Sequence, residues 1–406
     1  MVAALGFARE HALEVAVRSG GHSFPGLSVV DDGLVVDLGP MKAIEVDPRA
    51  GRVRVQAGVL LGELDRATQA YDSAVPTGAV THTGVAGLTL GGGIRWLMRR
   101  HGLSVDQLWR VSLVTADGRR VVADDRHHPE LFWGVRGGGG NFGVVTKFTF
   151  DLHPVGPGVL SGLVLWPFEQ ADEVTRVYRD WCRDAPRELT TALLLRRAPA
   201  VDLIPEDLHG RLVVGVMCCW SGPLARGELV LAPMRRLGDP VIDLTDVRPF
   251  VEHQSMLDAS YPHGIWVHLR ACDVGVLDDE VLDVTLEHAA RMLSPRSSVV
   301  VWQLGGAVAE VDAAATAFGG RASGHVFNVS GITADAEGFE QERAWVREFG
   351  KALQPHATGV YVNFLMEEGA DRVEDAYGRE RYRRLQAVKR AYDPDNVFHR
   401  NQNIAP

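Results

Sequence analysis

The stretch Arg18-Ser19-Gly20-Gly21-His22-Ser23 follows an apolar segment, Leu13 to Val17, near the start of the chain. Two adjacent glycines free the backbone to adopt positive φ and let its amides approach an anion closely. His22 places an imidazole, which is a nucleophile when neutral, at the edge of this loop. The pattern predicts a loop that binds a diphosphate-containing cofactor and can also hold it covalently. An ordinary polar turn is the alternative for so short a window.

Length and composition define the broad class of the protein. The chain has 406 residues, of which 46% are hydrophobic and 23% charged, and its formal net charge is −10. This size exceeds the range in which one core usually suffices, so we expect two domains of a soluble globular protein. The negative charge argues against nucleic-acid and anionic-membrane partners, and no apolar stretch has the length of a membrane span. Composition leaves a homo-oligomer open.

The cysteines and the N-terminus bear on location. Cys182, Cys218, Cys219 and Cys272 show no metal-ligand spacing, so we predict no metal site. Cys218 and Cys219 lie in an apolar run and are predicted to be core residues. The chain has no signal peptide, which favours a cytoplasmic protein with reduced thiols. Secretion stays open if the natural N-terminus lies upstream.

A second segment of small residues runs from Gly78 to Gly93 and ends in Gly91-Gly92-Gly93. Ordering such a segment carries an entropic penalty that a tightly bound ligand offsets. We interpret it as a cofactor-binding segment. The alternative is a glycine-rich turn region that supports a helix at Trp96 to His101.

The glycines Gly138, Gly140 and Gly143 match the spacing G-x-G-x-x-G of dinucleotide-binding Rossmann folds. That fingerprint requires a strand before it and a helix after it. Here Pro129 to Trp133 predicts a helix before the glycines, and Val144 to Phe150 predicts a strand after them. The order is reversed, so a Rossmann site and a nicotinamide-dependent dehydrogenase are disfavoured.

Apolar segments of strand length separate the glycine clusters: Leu34 to Leu38, Val53 to Ala57, Val111 to Ala116 and Val144 to Phe150. His153 to Gly158 contains two prolines and two glycines and predicts a domain boundary. Longer amphipathic patterns mixed with strands follow, which indicates an α+β domain. The tail is predicted to contain a strand, Gly359 to Leu365, and a basic helix. We therefore divide the chain into residues 1–155, 156–358 and a C-terminal segment at 359–406.

Several motifs in this order resemble the berberine-bridge-enzyme-like FAD-linked oxidases, which have the vanillyl-alcohol-oxidase type of flavoprotein fold. The motifs are Arg18 to Ser23, Thr81-His82-Thr83-Gly84 with Gly91-Gly92-Gly93, Leu131 to Thr146, Tyr361-Val362-Asn363-Phe364 and Asp393 to Phe398. The resemblance implies an α+β fold. An FAD-binding domain is joined to a substrate domain in which helices cover an antiparallel sheet, and the C-terminal segment returns to the FAD domain.

The resemblance implies FAD as the cofactor, with His22 attached covalently to the 8α-methyl carbon of the flavin. Many family members form a second covalent bond from a cysteine at the position of Val80, whose side chain cannot form a thioether. We therefore expect a single link through His22. The cofactor-binding residues expected from the motifs are Arg18, Ser19, Gly20, Gly21, His22, Ser23, Val80, Thr81, Thr83, Gly84, Gly87, Leu88, Gly91, Gly92, Gly143, Val145 and Asn401.

The resemblance also implies the reaction, in which hydride passes from a carbon that bears OH or NH to flavin N5. Thr83 stands at the family's position for control of oxygen access and favours an oxidase that gives H2O2 from O2. We expect an alcohol, amine or saccharide substrate and a place in secondary metabolism. Tyr361 and Asn363 are the expected catalytic residues, on one face of a strand. A tyrosinate base needs a partner that lowers its pKa; the alternative is that Tyr361 packs on the flavin.

Three departures from the family pattern qualify this interpretation. Arg95 occupies a position that is usually glycine, where it can reach solvent, pair with an acid or crowd the cofactor. Gly320 replaces a common histidine before Arg321. The elements that precede the helix Val2 to His11 in the family are missing, so a truncated homologue, catalytically impaired or free of cofactor, is the alternative function. Candidate wall residues of the substrate pocket, each equally a core residue, are Tyr261, Trp266, Trp302 and Phe327.

Overall fold

The structure is a computed structural model that describes residues 1–366 and 369–406. Short strands, several of them with alternating burial, form the first part of the fold. The strands of this part are β1 (Val15–Arg18), β2 (Leu34–Asp37), β3 (Ile44–Asp47), β4 (Arg52–Gln56), β5 (Ser73–Ala74), β6 (Leu108–Val114), β7 (Arg120–Ala123), β8 (Val144–Asp151) and β9 (His153–Pro154). Its helices are α1 (Val2–Glu10), α2 (Leu61–Gln69), α3 (Val85–Leu90), α4 (Met98–His101) and α5 (Pro129–Val135), with a 3₁₀-helix at Ser104–Gln107.

Pairing of these strands gives an antiparallel sheet of order β3-β4-β8-β6-β7, which we call the N-terminal sheet. In β4, Val53 and Val55 are buried while Arg54 between them is exposed, because successive side chains point to opposite faces. β1 and β2 pair in parallel beside this sheet, and β5 pairs with β9. Because β1 ends at Arg18, the predicted loop at residues 18 to 23 follows directly from the end of this strand.

The second part of the fold is built on a larger sheet, the central sheet. Its strands are β10 (Gly158–Pro167), β11 (Leu189–Arg197), β12 (Leu212–Trp220), β13 (Ile242–Asp243), β14 (Asp246–Pro249), β15 (Trp266–Val274), β16 (Ser298–Gln303), β17 (His325–Thr333) and β18 (Ala357–Gly359). The helices are α6 (Ala171–Arg183), α7 (Leu224–Arg235), α8 (Phe250–Gln254), α9 (Asp279–Ala289), α10 (Ala307–Glu310) and α11 (Phe339–Leu353), and 3₁₀-helices lie at Phe168–Gln170, Glu206–Leu208, Asp258–Ser260 and Gln354–His356. The strand order is β13-β10-β12-β11-β16-β17-β15-β18, with β14 also on β10, and every pair is antiparallel.

The two faces of the central sheet have different partners. In β16, Val299 and Val301 pack with the helices α6, α9 and α11, whereas Val300 and Trp302 belong to the core shared with the N-terminal part. A buried ion pair also joins the two parts, since the Arg321 guanidinium lies 2.5 Å from the Asp106 carboxylate. The face of the sheet that carries Trp302 is therefore the one that can border a site between the two parts.

The C-terminal segment returns to the N-terminal part. It contains a 3₁₀-helix at Val362–Phe364, α12 (Ala370–Tyr377) and α13 (Arg379–Tyr392). Lys389 of α13 is fully buried, and its Nζ donates to Asn141 O at 2.9 Å, Phe398 O at 2.9 Å and the Asp393 carboxylate at 2.6 Å. Asp393 in turn accepts the backbone N–H groups of Val397 and Phe398. This network fixes the last residues of the chain against the N-terminal part.

Most predicted elements are confirmed, and the α+β class with them. The helix α5 precedes the glycines at 138–143 and the strand β8 follows them, so the context test against a Rossmann site holds. One predicted strand is wrong, and one helix was not predicted. Gly359 to Leu365 is not one strand, because β18 ends at Gly359 and a 3₁₀-helix follows. The segment Gly78 to Gly93 contains the helix α3, which sequence reasoning missed because glycine and threonine are poor helix formers.

Other expectations concern boundaries and absences. The central sheet begins at Gly158 and ends at Gly359, while the division at 155 and 358 stays a prediction. Cys182, Cys218, Cys219 and Cys272 are buried and free, and burial raises the pKa of their thiols. Within residues 1–366 and 369–406, no helix is long and apolar enough to cross a membrane, and no cluster of three or more His, Cys, Asp or Glu could hold a metal ion.

Candidate cofactor and substrate site

A deep cavity lies where the loop after β1, the helix α3, the central sheet and the C-terminal segment meet. The space in and in front of it that no protein atom fills is about 1700 Å³, open solvent included. Segments that are distant in sequence line it together, namely residues 19–28, 83–95, 139–145, 361–365 and 398–402. The glycine-rich motifs and the Tyr361 motif therefore face one space, as the sequence analysis predicts.

His22 lies in this cavity wall with a second histidine as its partner. The ring nitrogens His22 Nε2 and His82 Nδ1 are 2.6 Å apart, and one of them donates to the other. The His263 ring is 5.2 Å from that of His82. Burial, followed by the nearby His82 and His263, lowers the pKa of His22 to about 4. His22 is therefore neutral near pH 7, and its Nδ1 has no hydrogen-bond partner among the described residues, as a nucleophile requires.

The loop that carries His22 packs directly on the segment that leads into α3. A Cβ at Gly20 would lie 2.2 Å from the backbone N of Gly84, and a Cβ at Gly84 would lie 2.4 Å from the backbone N of Gly20. Both positions therefore require glycine for a close approach of the two backbones. The Ser19 hydroxyl donates to Ala57 O at 2.6 Å and fixes the loop to the end of β4. Together these contacts hold His22 at the cavity.

The walls of the cavity fit FAD. Gly87 and Gly140 line the cavity, and a Cβ on either residue would meet no atom within 4 Å. The backbone of these two glycines therefore faces the cavity without a side chain in between. Peptide groups exposed in this way suit a pyrophosphate. Val15 and Val17 supply apolar surface to the cavity wall, and the buried Oδ1 of Asn401 has no hydrogen-bond partner among residues 1–366 and 369–406. Apolar walls with a few unsatisfied polar atoms are typical of a cofactor site.

Most of the predicted residues line the cavity. They are Ser19, Gly20, Gly21, His22, Ser23, Val80, Thr83, Gly84, Gly87, Leu88, Gly143, Val145, Tyr361, Asn363 and Asn401. Arg18, Thr81, Gly91 and Gly92 do not line it. The first set contains the covalent and catalytic candidates, and the second set lies directly behind them.

The four residues outside the wall support it. A Cβ at Gly21 would lie 3.2 Å from Arg18 Nε, so the Arg18 side chain backs the loop. Thr81 donates from its backbone N–H and its hydroxyl to the Asp258 carboxylate, at 2.8 and 2.5 Å, which ties the α3 segment to the central part. A Cβ at Gly91 would lie 2.0 Å from Asn363 Oδ1. Gly92, with φ of +133°, leaves room for Phe318 and Tyr361. They stay predicted cofactor-binding residues, and in the structure they position the residues that line the cavity.

Tyr361 and Asn363 meet through a helical turn rather than through strand alternation. Asn363 Nδ2 donates to Tyr361 Oη at 2.8 Å and to Leu88 O at 3.0 Å, and the backbone N–H of Gly93 donates to Tyr361 Oη at 3.0 Å. Burial raises the pKa of the Tyr361 phenol, although the Gly93 amide, the positive charge of Arg95 and Asn363 each act to lower it. The partners that favour a tyrosinate are thus present, but burial outweighs them in the resting protein.

Sequence reasoning missed Asn328, a further residue in the cavity wall. Arg95, Tyr261 and Asn328 line the cavity beside Tyr361. Arg95 had a signal, its departure from glycine, and Tyr261 was a candidate wall residue. Asn328 had none, because it comes from the middle of β17. The other wall candidates are not among the lining residues, since the Trp266 side chain is exposed and Trp302 and Phe327 are buried in the core.

Comparison with known protein families agrees with this geometry. A family model described as an FAD binding domain matches residues 1–124. A second model, described as berberine and berberine like, matches residues 360–405. The two matched stretches contain the His22 loop, α3 and the Tyr361 turn.

Individual proteins match over the whole chain. An FAD-linked oxidoreductase of Dictyostelium discoideum is 32% identical over 100% of this chain and 86% of its own length. The (R)-6-hydroxynicotine oxidase of Paenarthrobacter nicotinovorans is 31% identical over 98% of this chain and 87% of its own length. The crystal structure of 6-hydroxy-D-nicotine oxidase from Arthrobacter nicotinovorans superposes with a TM-score of 0.89 at 28% identity, covering 100% of this chain and 89% of that one.

Proposed function

The chain belongs to the berberine-like family of FAD-linked oxidoreductases, with a flavoprotein fold of the vanillyl-alcohol-oxidase type, and on that premise we propose that it is an oxidase. Its substrate is proposed to be a small molecule with a C–H bond next to an OH or NH group, such as an alcohol, an amine or a saccharide. The observation that carries the proposal is the convergence of His22, bare glycine backbone and Tyr361 on one cavity.

FAD, when bound, would supply the hydride acceptor for the substrate and the two electrons that, with two protons, reduce O2 to H2O2. The residues of the chain have three other tasks. The loop 19–23, Gly87 and Gly140 offer backbone for the pyrophosphate. Val15 and Val17 offer apolar surface to the rings. The remaining task, removal of the substrate proton, is assigned to Tyr361.

Tyr361 is proposed to take the proton of the substrate OH or NH as hydride leaves the adjoining carbon. Its Oη already accepts two N–H donors, from Gly93 and Asn363, and both stabilise a negative charge on that oxygen. Because burial raises the Tyr361 pKa, the phenol predominates at neutral pH and the reactive tyrosinate increases with pH. Asn363 is proposed to position Tyr361, since it bridges Tyr361 Oη and Leu88 O.

The flavin is proposed to be attached covalently through His22 alone. His22 is neutral and its Nδ1 has no hydrogen-bond partner in the described part of the chain, whereas Val80 lines the cavity without any nucleophilic atom. Thr83 also lines the cavity and is small, which supports access of O2 and hence an oxidase rather than a dehydrogenase.

The test uses the purified full chain. We expect visible flavin absorbance that stays with the protein after denaturation in acid, and H2O2 release with at least one member of a panel of secondary alcohols, amines and sugars. His22→Ala should release the flavin into the supernatant, and Thr83→Ala, which keeps the cavity open, should retain peroxide formation. A colourless protein would support the alternative of a cofactor-free homologue, and a flavoprotein reduced by substrate but not reoxidised by O2 would indicate a dehydrogenase. A cytoplasmic location and a place in secondary metabolism stay part of the proposal.

A further inference from the structure

Arg95 is a guanidinium in the cavity wall without an acidic partner. Its Nε and Nη1 are buried and have no hydrogen-bond partner, and no ion pair involves it within the described residues. The titratable groups among the described residues that face it are the phenols of Tyr361 and Tyr261, and no carboxylate is among them. A buried cation without a partner is costly, so an anion supplied from outside the chain is the expected partner.

The surroundings hold the guanidinium in a fixed place. Its central carbon lies 4.4 Å from the ring centroid of Trp302 and 5.4 Å from that of Phe364, distances typical of cation–π contacts. Trp302 is buried on the face of the central sheet that borders the cavity. The planar fork of Arg95 is thus oriented before a ligand arrives, and such a fork matches a planar carboxylate.

Two further polar groups line the cavity with Arg95. Asn328 accepts a hydrogen bond from the Ser330 hydroxyl at 2.9 Å through Oδ1, which leaves its Nδ2 as a donor. Tyr261 follows the 3₁₀-helix that Asp258 ties to Thr81, so its position is fixed by the same contact that holds the α3 segment. Guanidinium, amide and phenol are all donors, and together they suit an acceptor with two oxygens.

These neighbours belong to the substrate side of the cavity. Trp302, Asn328 and Tyr261 all come from the central part, whereas the bare backbone that fits a pyrophosphate comes from residues 19–23 and 139–145. We infer that Arg95, Asn328 and Tyr261 form a binding site for a carboxylate of the substrate. The substrate is then a hydroxy or amino compound that also carries a carboxylate, held with its reacting group toward Tyr361. This inference rests on the proposed function and deepens it.

Isothermal calorimetry with two probes of equal shape tests the site on the full chain as purified. We expect benzoate to bind more tightly than benzamide by roughly tenfold to a hundredfold, the range of one or two charge-assisted hydrogen bonds. Arg95→Met should abolish this preference and leave benzamide binding unchanged. Arg136→Met is the matched control, because Arg136 also stacks on an aromatic ring, at 4.3 Å from that of Phe132, but does not line the cavity.

Equal binding of the two probes by the wild type, lack of any binding, or an unchanged preference in Arg95→Met would each overturn the inference. If Arg95→Met does not fold, Arg95→Lys serves, and it should weaken benzoate binding alone, since an ammonium lacks the planar fork. The heat of binding does not depend on flavin colour. A colourless protein therefore refutes the proposed oxidase, while a yellow protein without the benzoate preference refutes only the carboxylate site.

Discussion

The substitution Lys389→Met tests whether the buried network of the C-terminal segment stabilises the fold. Methionine keeps the unbranched aliphatic length of lysine but removes the charge and the donors. Asn141 O, Phe398 O and the Asp393 carboxylate each lose a donor, in a place where Lys389 and Asp393 are both fully buried. Removal of one partner from a buried ion pair costs about 3–5 kcal/mol. We expect the free energy of unfolding to fall by that amount.

A matched variant lies on the same helix. Arg384 of α13 also pairs with a carboxylate, that of Glu130 at 2.8 Å, but its side chain is 40% exposed and that of Glu130 is 60% exposed. Exposed pairs contribute about 1 kcal/mol or less, so Arg384→Met should have little effect. Urea denaturation of the three proteins, followed by tryptophan fluorescence, measures the difference. A loss below about 1 kcal/mol in Lys389→Met, equal to that in the control, would refute the reasoning.

The same substitution should also affect the cavity. The network holds Phe398, and the residues that follow it, Arg400, Asn401 and Gln402, line the cavity. We therefore expect Lys389→Met to bind less FAD per chain than Arg384→Met at a temperature where both are folded. Flavin absorbance relative to protein absorbance measures this directly.

Three further predictions concern the site itself. His82→Ala removes the partner of His22 Nε2 and should slow covalent attachment of FAD to the purified apoprotein, measured as flavin that remains bound after acid precipitation. Since the His22 pKa is about 4, the rate of attachment in the wild type should stay constant from neutral pH to about pH 4 and decrease at lower pH. Because the Tyr361 pKa is raised, kcat/KM should increase about tenfold per pH unit on the alkaline side, and Tyr361→Phe should lose this slope together with roughly a hundredfold or more of the rate at unchanged flavin content. Thr83→Leu should slow reoxidation by O2 in stopped-flow experiments without slowing anaerobic reduction by substrate.

Most helices and strands could be predicted from local patterns of apolar and polar residues. The alternation of apolar and polar residues in β4 and the apolar run of β12 predicted strands correctly, because β4 is buried on one face and β12 on both. The helix α3 was not, because its sequence is rich in small residues and the packing of its buried face decides its conformation. The prediction of a strand at Tyr361 was wrong for a related reason. Its apolar residues fit a strand, yet the contacts of Asn363 with Leu88 and Tyr361 select a 3₁₀-helix.

The sequence alone determined the family, the cofactor-binding loops and the nucleophile candidate His22, because glycines needed for close backbone approach and a histidine beside them are visible as letters. The sequence alone did not determine which side chains contact each other. The His22–His82 pair and the hydrogen bond from Gly93 to Tyr361 Oη join residues that are far apart in the chain, and Arg95 Nε and Nη1 are buried without a hydrogen-bond partner among the described residues. Only tertiary structure decided these, because hydrogen bonding and desolvation depend on distances that local sequence does not encode.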